Sequence, residues 1–281
     1  MKPAAAVNLA LSFKSLWGAS TIPFCPGAQP AFAPPQFEAL AARIEQLCAL
    51  GSSGVLYGPN GSGKSYLLNY LLQNRLTDKQ FKSLVLTHFS LSGSDLLRAL
   101  CLKLEIEPKF RRSDTVALIT QSWKSFQPRW PLIVVEEAQN LSAVALEELR
   151  LLSCARLDTV PFSLLLVGDP SLLGKLKLGV HAPLRSRLGY CLELTPFDPA
   201  LAHQYIEHSL RSASIHLNPF EPEALQLLIQ ASSGLARTIN HLAQRSMEGA
   251  ALENSPTVGS VHVQAAIDRL PWLVHLLPAT A

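Results

Sequence analysis

The chain has 281 residues, 48% hydrophobic and 16% charged, enough to bury the core of one large α/β domain and a smaller companion, and too apolar for a disordered tail. Its 24 basic and 21 acidic residues leave a net charge of +3, mildly basic and compatible with nucleic acid without requiring it. Five dispersed cysteines (Cys25, Cys48, Cys101, Cys154, Cys191) form no C-x-x-C pair and eight scattered histidines form no H-E-x-x-H, which argues against a disulfide scaffold or a zinc site and for reduced thiols in the cytosol.

The first residues, Met1-Lys2-Pro3 and then Ala4-Ala5-Ala6-Val7, resemble a secretion leader only faintly, because Asn8 and Lys14 interrupt the apolar run. No run reaches the roughly 18–20 apolar residues of a membrane span, so no membrane partner is expected. Residues 1–36 carry Pro23, Pro26, Pro30, Pro34 and Pro35 and read as an ordered arm rather than a domain. Phe37, Leu40, Ile44 and Leu47 recur at helical spacing and predict a helix from Gln36 to Leu50. Alternating units follow: strand 54–58 and helix 64–73, strand 83–88 and helix 94–104, helix 114–126 and strand 132–136, helix 143–152 and strand 162–168, and a last strand at 189–194. Leu84-Val85-Leu86, Leu132-Ile133-Val134-Val135 and Leu164-Leu165-Leu166-Val167 are unbroken apolar runs, which suit a parallel sheet covered by helices on both faces. Beyond Pro196 the pattern changes to helices at 198–212, 221–232, 236–251 and 260–269 with no strand between them. The predicted organisation is an arm (1–36), an α/β domain (37–196) and a small all-helical domain (197–281).

Gly58-Pro59-Asn60-Gly61-Ser62-Gly63-Lys64-Ser65 matches G-x-x-x-x-G-K-[ST], the phosphate-binding loop of nucleoside triphosphatases. It follows the apolar strand Gly54-Val55-Leu56-Tyr57 and opens the helix that begins with Tyr66 and Leu67, the context the mechanism needs. Glycines let the backbone curl so that N–H groups point at phosphate oxygens, at the positive end of a helix. Lys64 is the expected ligand of the β- and γ-phosphates, the Ser65 hydroxyl that of Mg²⁺, and the loop with Tyr66 is the candidate ATP-binding segment. A second constellation ends the strand Leu132–Val135 in two carboxylates, Glu136 and Glu137, ahead of Ala138-Gln139-Asn140. One carboxylate suits magnesium, which prefers oxygen ligands; the next suits a base that orients and deprotonates water.

These segments resemble the Walker A and Walker B motifs of AAA+ ATPases, and the Glu-Glu-Ala-Gln-Asn-Leu ending is similar to the group of ExeA-type ATPases and transposition regulators of the TniB, TnsC and MuB kind. The resemblance covers roughly residues 20–270. It implies a P-loop NTPase parallel sheet sandwiched by helices with a small C-terminal helical lid domain. It places a polar sensor at Asp169 in Val167-Gly168-Asp169-Pro170, where related proteins usually carry Gln or Asn. It places an arginine finger in Pro183-Leu184-Arg185-Ser186-Arg187-Leu188, at Arg187 first and Arg185 second, and a second sensor at Arg237 in Gly234-Leu235-Ala236-Arg237. Ile22-Pro23-Phe24 is either an adenine contact or an ordinary packing anchor. Two departures stand out: Glu136 replaces the family's Asp, and Asp169 adds negative charge near the phosphates. Both predict slow turnover and an ATP-gated switch.

A finger donated to a neighbour's site makes a head-to-tail contact, which closes into a ring or continues as a filament. The transposition regulators assemble with ATP on duplex DNA, recruit a transposase, and work with target-selecting partners. Their DNA-lining loops correspond here to Ser90–Ser94 and Glu107–Ser113. Ser92, Ser94, Lys109, Arg111, Arg112 and Ser113 are the candidate phosphate contacts, against the alternative of a solvated loop. The leading expectation is a cytoplasmic, nucleoid-associated bacterial ATPase of this kind. An ExeA-like secretion or envelope ATPase and an ATP-binding scaffold that scarcely hydrolyses are the alternatives.

Overall fold

A computed structural model describes residues 4–25, 32–87, 92–154 and 162–271. Five strands, β1 (Ser53–Tyr57), β2 (Phe81–Leu86), β3 (Trp130–Val135), β4 (Ser163–Gly168) and β5 (Leu188–Glu193), form one sheet in the order β2-β3-β4-β1-β5. Every pairing is parallel, with Leu84 opposite Ile133, Val134 opposite Leu165, and Leu56 opposite Val167. The unbroken apolar runs mark the strands with helices on both faces: every residue of β4 is buried, as is all of β3 after Trp130. One polar pair lies among them, the Trp130 indole Nε1 donating to Ser163 Oγ at 3.1 Å.

The chain divides into two compact units. The first to form a sheet comprises residues 35–59 and 64–194; the other comprises 1–34, 60–63 and 195–281. In the sheet unit, α2 (Pro35–Ala49), α3 (Lys64–Asn74), α4 (Gly93–Lys103), α5 (Arg112–Ser122) and α6 (Ala143–Cys154) supply the covering layers, with α4 lying against α5 and α6. Phe37, Leu40, Ile44 and Leu47 all lie on the buried face of α2. Glu38 on α2 accepts from Tyr70 Oη at 2.5 Å and pairs with Arg75; the Tyr70 hydrogen bond first, and then that from Arg75, hold the Glu38 carboxyl below its usual range. The helix expected over 114–126 starts earlier, at Arg112, and turns into a 3-10 segment at Trp123–Phe126. Ser122 Oγ donates to Ile119 O at 2.6 Å at that junction, and Trp123 is buried. Two short helices, α7 (Ser171–Lys177) and α8 (Ala182–Arg185), escape prediction because seven and four residues are too few to show a period.

The other unit is helical: α9 (Pro199–Ser212), α10 (Pro222–Ser232), α11 (Ala236–Leu252) and α12 (Ser260–Asp268). Asp198 caps α9 by accepting from Leu201 N at 2.7 Å, with Pro199 in the first turn. The N-terminal residues join this unit and contain an unforeseen helix, α1 (Ala4–Trp17), which packs against α11. Phe13 is fully buried, Trp17 stacks edge-on with it at 5.1 Å, and Trp17 Nε1 donates to Pro256 O at 2.7 Å. Phe32 continues the attachment, tilted against Tyr205 at 5.3 Å and edge-on to Phe197 at 6.0 Å.

Gly234 is the tightest point of this unit. Its φ is +70°, and a Cβ there would stand 2.0 Å from Phe197 O. The two residues also pair, Phe197 N donating to Gly234 O at 2.9 Å. Gly234→Ala is expected to destabilise the protein by about 3 kcal/mol or more, since left-handed strain and a backbone clash add. A urea melt read by circular dichroism measures it.

Candidate nucleotide-binding and catalytic site

Parallel strands leave all their carboxyl ends on one edge of the sheet. Tyr57 of β1 leads into Gly58, Val135 of β3 into Glu136, and Gly168 of β4 into Asp169. Ligands of open α/β sheets bind at such an edge. Gly58 N donates to Gly168 O at 3.3 Å, which starts the loop beside β4. Gly61 and Gly63 take φ of +88° and +103°, conformations that side chains other than glycine rarely adopt. Lys64 is only 6% exposed, and its ammonium donates to Gly58 O at 2.9 Å and Pro59 O at 3.0 Å. Ser62 is 2% exposed with its hydroxyl unpartnered. A buried cation, an orphaned hydroxyl, two left-handed glycines and the N-terminus of α3 together fit a polyphosphate. In the helical unit, residues 60–63 meet α11: Arg237 N donates to Gly61 O at 3.1 Å, while the Arg237 side chain is exposed.

Ser65 Oγ donates to Glu136 Oε2 at 2.5 Å. The two expected magnesium ligands are thus in contact. This pair of oxygen donors fits a magnesium ion that completes its shell with phosphate and water. Glu137 stands next to it with left-handed backbone, φ 51° and ψ 38°. Gln139 Nε2 donates to Glu137 Oε2 at 2.6 Å, and Gln139 Oε1 accepts from Asp169 N at 3.3 Å. The Lys175 ammonium binds the carbonyls of Gln139 and Leu141. Burial and that ammonium push His181 below the ordinary histidine value, with Glu147 opposing, so it is neutral at pH 7. Gln139 and Lys175 are the functional-site residues that sequence reasoning missed. Gln139 lies in the quoted acidic motif, but nothing in one dimension shows that its amide folds back on Glu137.

Several expected site residues take other partners. The Asp169 carboxylate accepts from Ser171 N at 2.8 Å and Ser171 Oγ at 2.5 Å, at the start of α7. Arg185 Nη1 donates to Leu176 O at 2.9 Å and Lys177 O at 3.0 Å, closing the C-terminus of α7. Arg187, exposed at the start of β5, has its guanidinium on Pro183 O at 2.5 Å. Phe24 is 1% exposed with φ 61°, a core ring, so the packing alternative describes it; Ile22 is half-buried. Tyr66 is exposed on α3 with its ring 6.1 Å from Phe37.

Ser90 and Leu91 lie outside the described residues. Ser92 caps α4, donating to Asp95 Oδ2 at 2.5 Å, with Ser94 Oγ 3.2 Å away. Arg112 Nε donates at 2.6 Å to Glu148, whose side chain is 3% exposed, and this partner raises the Arg112 pKa. Ser113 Oγ donates to Asp114. These four residues are engaged within the protein. Lys109 and Arg111 remain at the surface around Phe110, whose ring is fully exposed. Thr115 holds this tip rigid, accepting from Lys109 N at 2.9 Å and donating to Lys109 O at 3.1 Å.

Residues 49–176 match the family model of the AAA domain. General secretion pathway protein A of Aeromonas hydrophila is 29% identical over 223 residues, covering 75% of this chain and 39% of that protein. The chain thus spans about two fifths of the length of that relative. Among solved structures, Cdc6p from Pyrobaculum aerophilum aligns with a TM-score of 0.72 at 15% identity, over 95% of this chain and 72% of the other. The Aeropyrum pernix ORC1 protein in complex with DNA aligns with a TM-score of 0.66 at 17% identity, over 91% and 72%. The sheet unit therefore has the AAA+ P-loop fold, with helical elements following it.

Lys64→Ala removes the one side-chain cation of the loop. It is expected to abolish Mg·ATP binding detectable by calorimetry at ligand concentrations that saturate the wild type, while the unfolding midpoint stays near the wild-type value.

Proposed function

We propose that this chain is an ATPase that converts ATP and water to ADP and phosphate, and uses the cycle to assemble on duplex DNA and regulate transposition. The observation that carries the ATPase reading is the contact between Ser65 and Glu136, with Glu137 clamped beside it and the Lys64 ammonium buried in the loop. Lys64 binds the β- and γ-phosphates, and Tyr66 follows the loop in the first turn of α3. Ser65 and Glu136 would hold a magnesium ion, which would supply positive charge against the charge that develops on the phosphates. Glu137 takes the proton of the attacking water as the water oxygen bonds to the γ-phosphorus and the bond to ADP breaks, ADP keeping the electron pair. Arg187 from a neighbouring protomer and Arg237 supply further positive charge to the transferred group.

The DNA reading is supported by the tip Lys109-Phe110-Arg111, two cations flanking an exposed ring on a backbone that Thr115 fixes. Cations position a protein on phosphates without reading sequence, and an aromatic ring stacks on bases of any identity. One solved neighbour is itself in complex with DNA. The regulation of transposition, with a transposase and a target-selecting adaptor as partners, rests on the sequence resemblance of the acidic motif. A head-to-tail homo-oligomer, ring or filament, follows from the finger arginine. A second reading, a secretion ATPase, is favoured by the identity to General secretion pathway protein A. Among the described residues no helix is long and apolar enough to cross a membrane.

Glu137→Gln is expected to keep Mg·ATP affinity and lose at least about a hundredfold in turnover, measured as phosphate release. Duplex binding should need ATP, ignore sequence and weaken with salt. Lys109→Ala or Arg111→Ala should each reduce the slope of log affinity against log salt by about one, whereas Arg112→Ala should leave the slope unchanged. Absence of ATP-dependent duplex binding at low salt overturns the DNA reading and leaves the secretion reading standing.

A further inference from the structure

One side chain joins the ends of β3 and β4. Gln139 uses both halves of its carboxamide: Nε2 donates to Glu137 Oε2 at 2.6 Å, and Oε1 accepts from Asp169 N at 3.3 Å. The chemistry settles which way round the amide lies, because a flipped group would set oxygen against carboxylate and NH₂ against N–H. The residue is anchored from behind as well, since the Lys175 ammonium of α7 holds its backbone carbonyl together with that of Leu141. The passage to Asp169 N exists only because residue 168 is glycine. A Cβ there would stand 2.7 Å from Gln139 Oε1 and 2.9 Å from Leu172 Cδ2.

We propose that Gln139 is a positioning residue for ATP hydrolysis, a strut that holds the Glu137 carboxylate where it meets the attacking water. The proposal rests on the reading of Glu137 as the base. Glu137 leaves the strand line through a left-handed backbone, φ 51°, and its side chain has three rotatable bonds to restrain. Without a fixed partner its carboxylate samples many positions, and a displacement of about 1 Å costs on the order of a hundredfold in rate. The strut binds one carboxylate oxygen and leaves the other to face the water. As that water's oxygen bonds to the γ-phosphorus, its proton passes to Glu137 and ADP departs with the electron pair of the broken bond. Because the far end of the strut is the first residue after β4, and α7 supports it through Lys175, the base is tied to the segment that leads through α8 to Arg185 and Arg187.

The test uses the full chain with Gln139→Leu, Gln139→Glu and Glu137→Gln, and reads kcat, KM, the Kd of Mg·ATP and the unfolding midpoint. Gln139→Leu keeps the shape and loses both hydrogen bonds. Gln139→Glu keeps an acceptor for Asp169 N and so keeps the tie between strand ends, but sets a second carboxylate against Glu137. Both are expected to lower kcat by about tenfold or more, with KM and Kd within about twofold of wild type. A merely structural tie predicts wild-type kcat for Gln139→Glu, and that result overturns the proposal. So does a loss of kcat that comes only with a matching loss of nucleotide affinity or of folded protein. Turnover that disappears in Glu137→Gln but survives in Gln139→Leu removes the strut and spares the base. Turnover that survives Glu137→Gln, or is undetectable in the wild type, removes both.

Discussion

Ser65 and Glu136 meet across β4. Their elements leave the sheet from β1 and β3, which are not neighbours; both pair with β4, so their ends stand about two strand spacings apart, on the order of 10 Å. Two side chains must close that gap. A serine in the first turn of α3 and a glutamate one bond longer than aspartate do so with a 2.5 Å hydrogen bond. The sheet order sets the span, and the parallel direction of every strand puts both groups on the same edge.

Electrostatics at this edge depends on burial. The Lys64 ammonium is nearly out of water, and two loop carbonyls hold it there. A polyphosphate offers it stronger, charged acceptors, so the exchange of partners favours the nucleotide. The same economy of partners runs through Gln139 and Lys175, which satisfy the backbone and carboxylate groups where β3 and β4 stop. Such a chain of hydrogen bonds in a partly dry site stiffens what it joins.

At the loop between α4 and α5 the protein separates charges that look alike in the sequence. Arg112, itself more than half exposed, pairs with Glu148, which is buried on α6 and needs a cation. Ser92, Ser94 and Ser113 serve helix starts. Lys109, Phe110 and Arg111 stand beside them at the surface, and Thr115 bonds the backbone N–H and carbonyl of Lys109. An exposed ring between two cations on a rigid tip has solvent as its alternative to a ligand, and burial on a base gives it apolar contact.

The sequence alone was sufficient for the phosphate loop, the strand that carries the two carboxylates, and the alternation of apolar strands with helices, because each depends on residues adjacent in the chain and on local periodicity. It also determined where the helical run begins after Pro196. The fold decided everything that depends on distant residues meeting. Ala4–Trp17 becomes a packed helix because Phe13 and Trp17 find α11 and Pro256, contacts more than two hundred residues away. Asp169 bonds Ser171 at the start of α7, Arg185 bonds the carbonyls of Leu176 and Lys177, Arg112 pairs with Glu148, and Gln139 folds back on Glu137, since a side chain takes the nearest partner in space and the chain order does not record which that is.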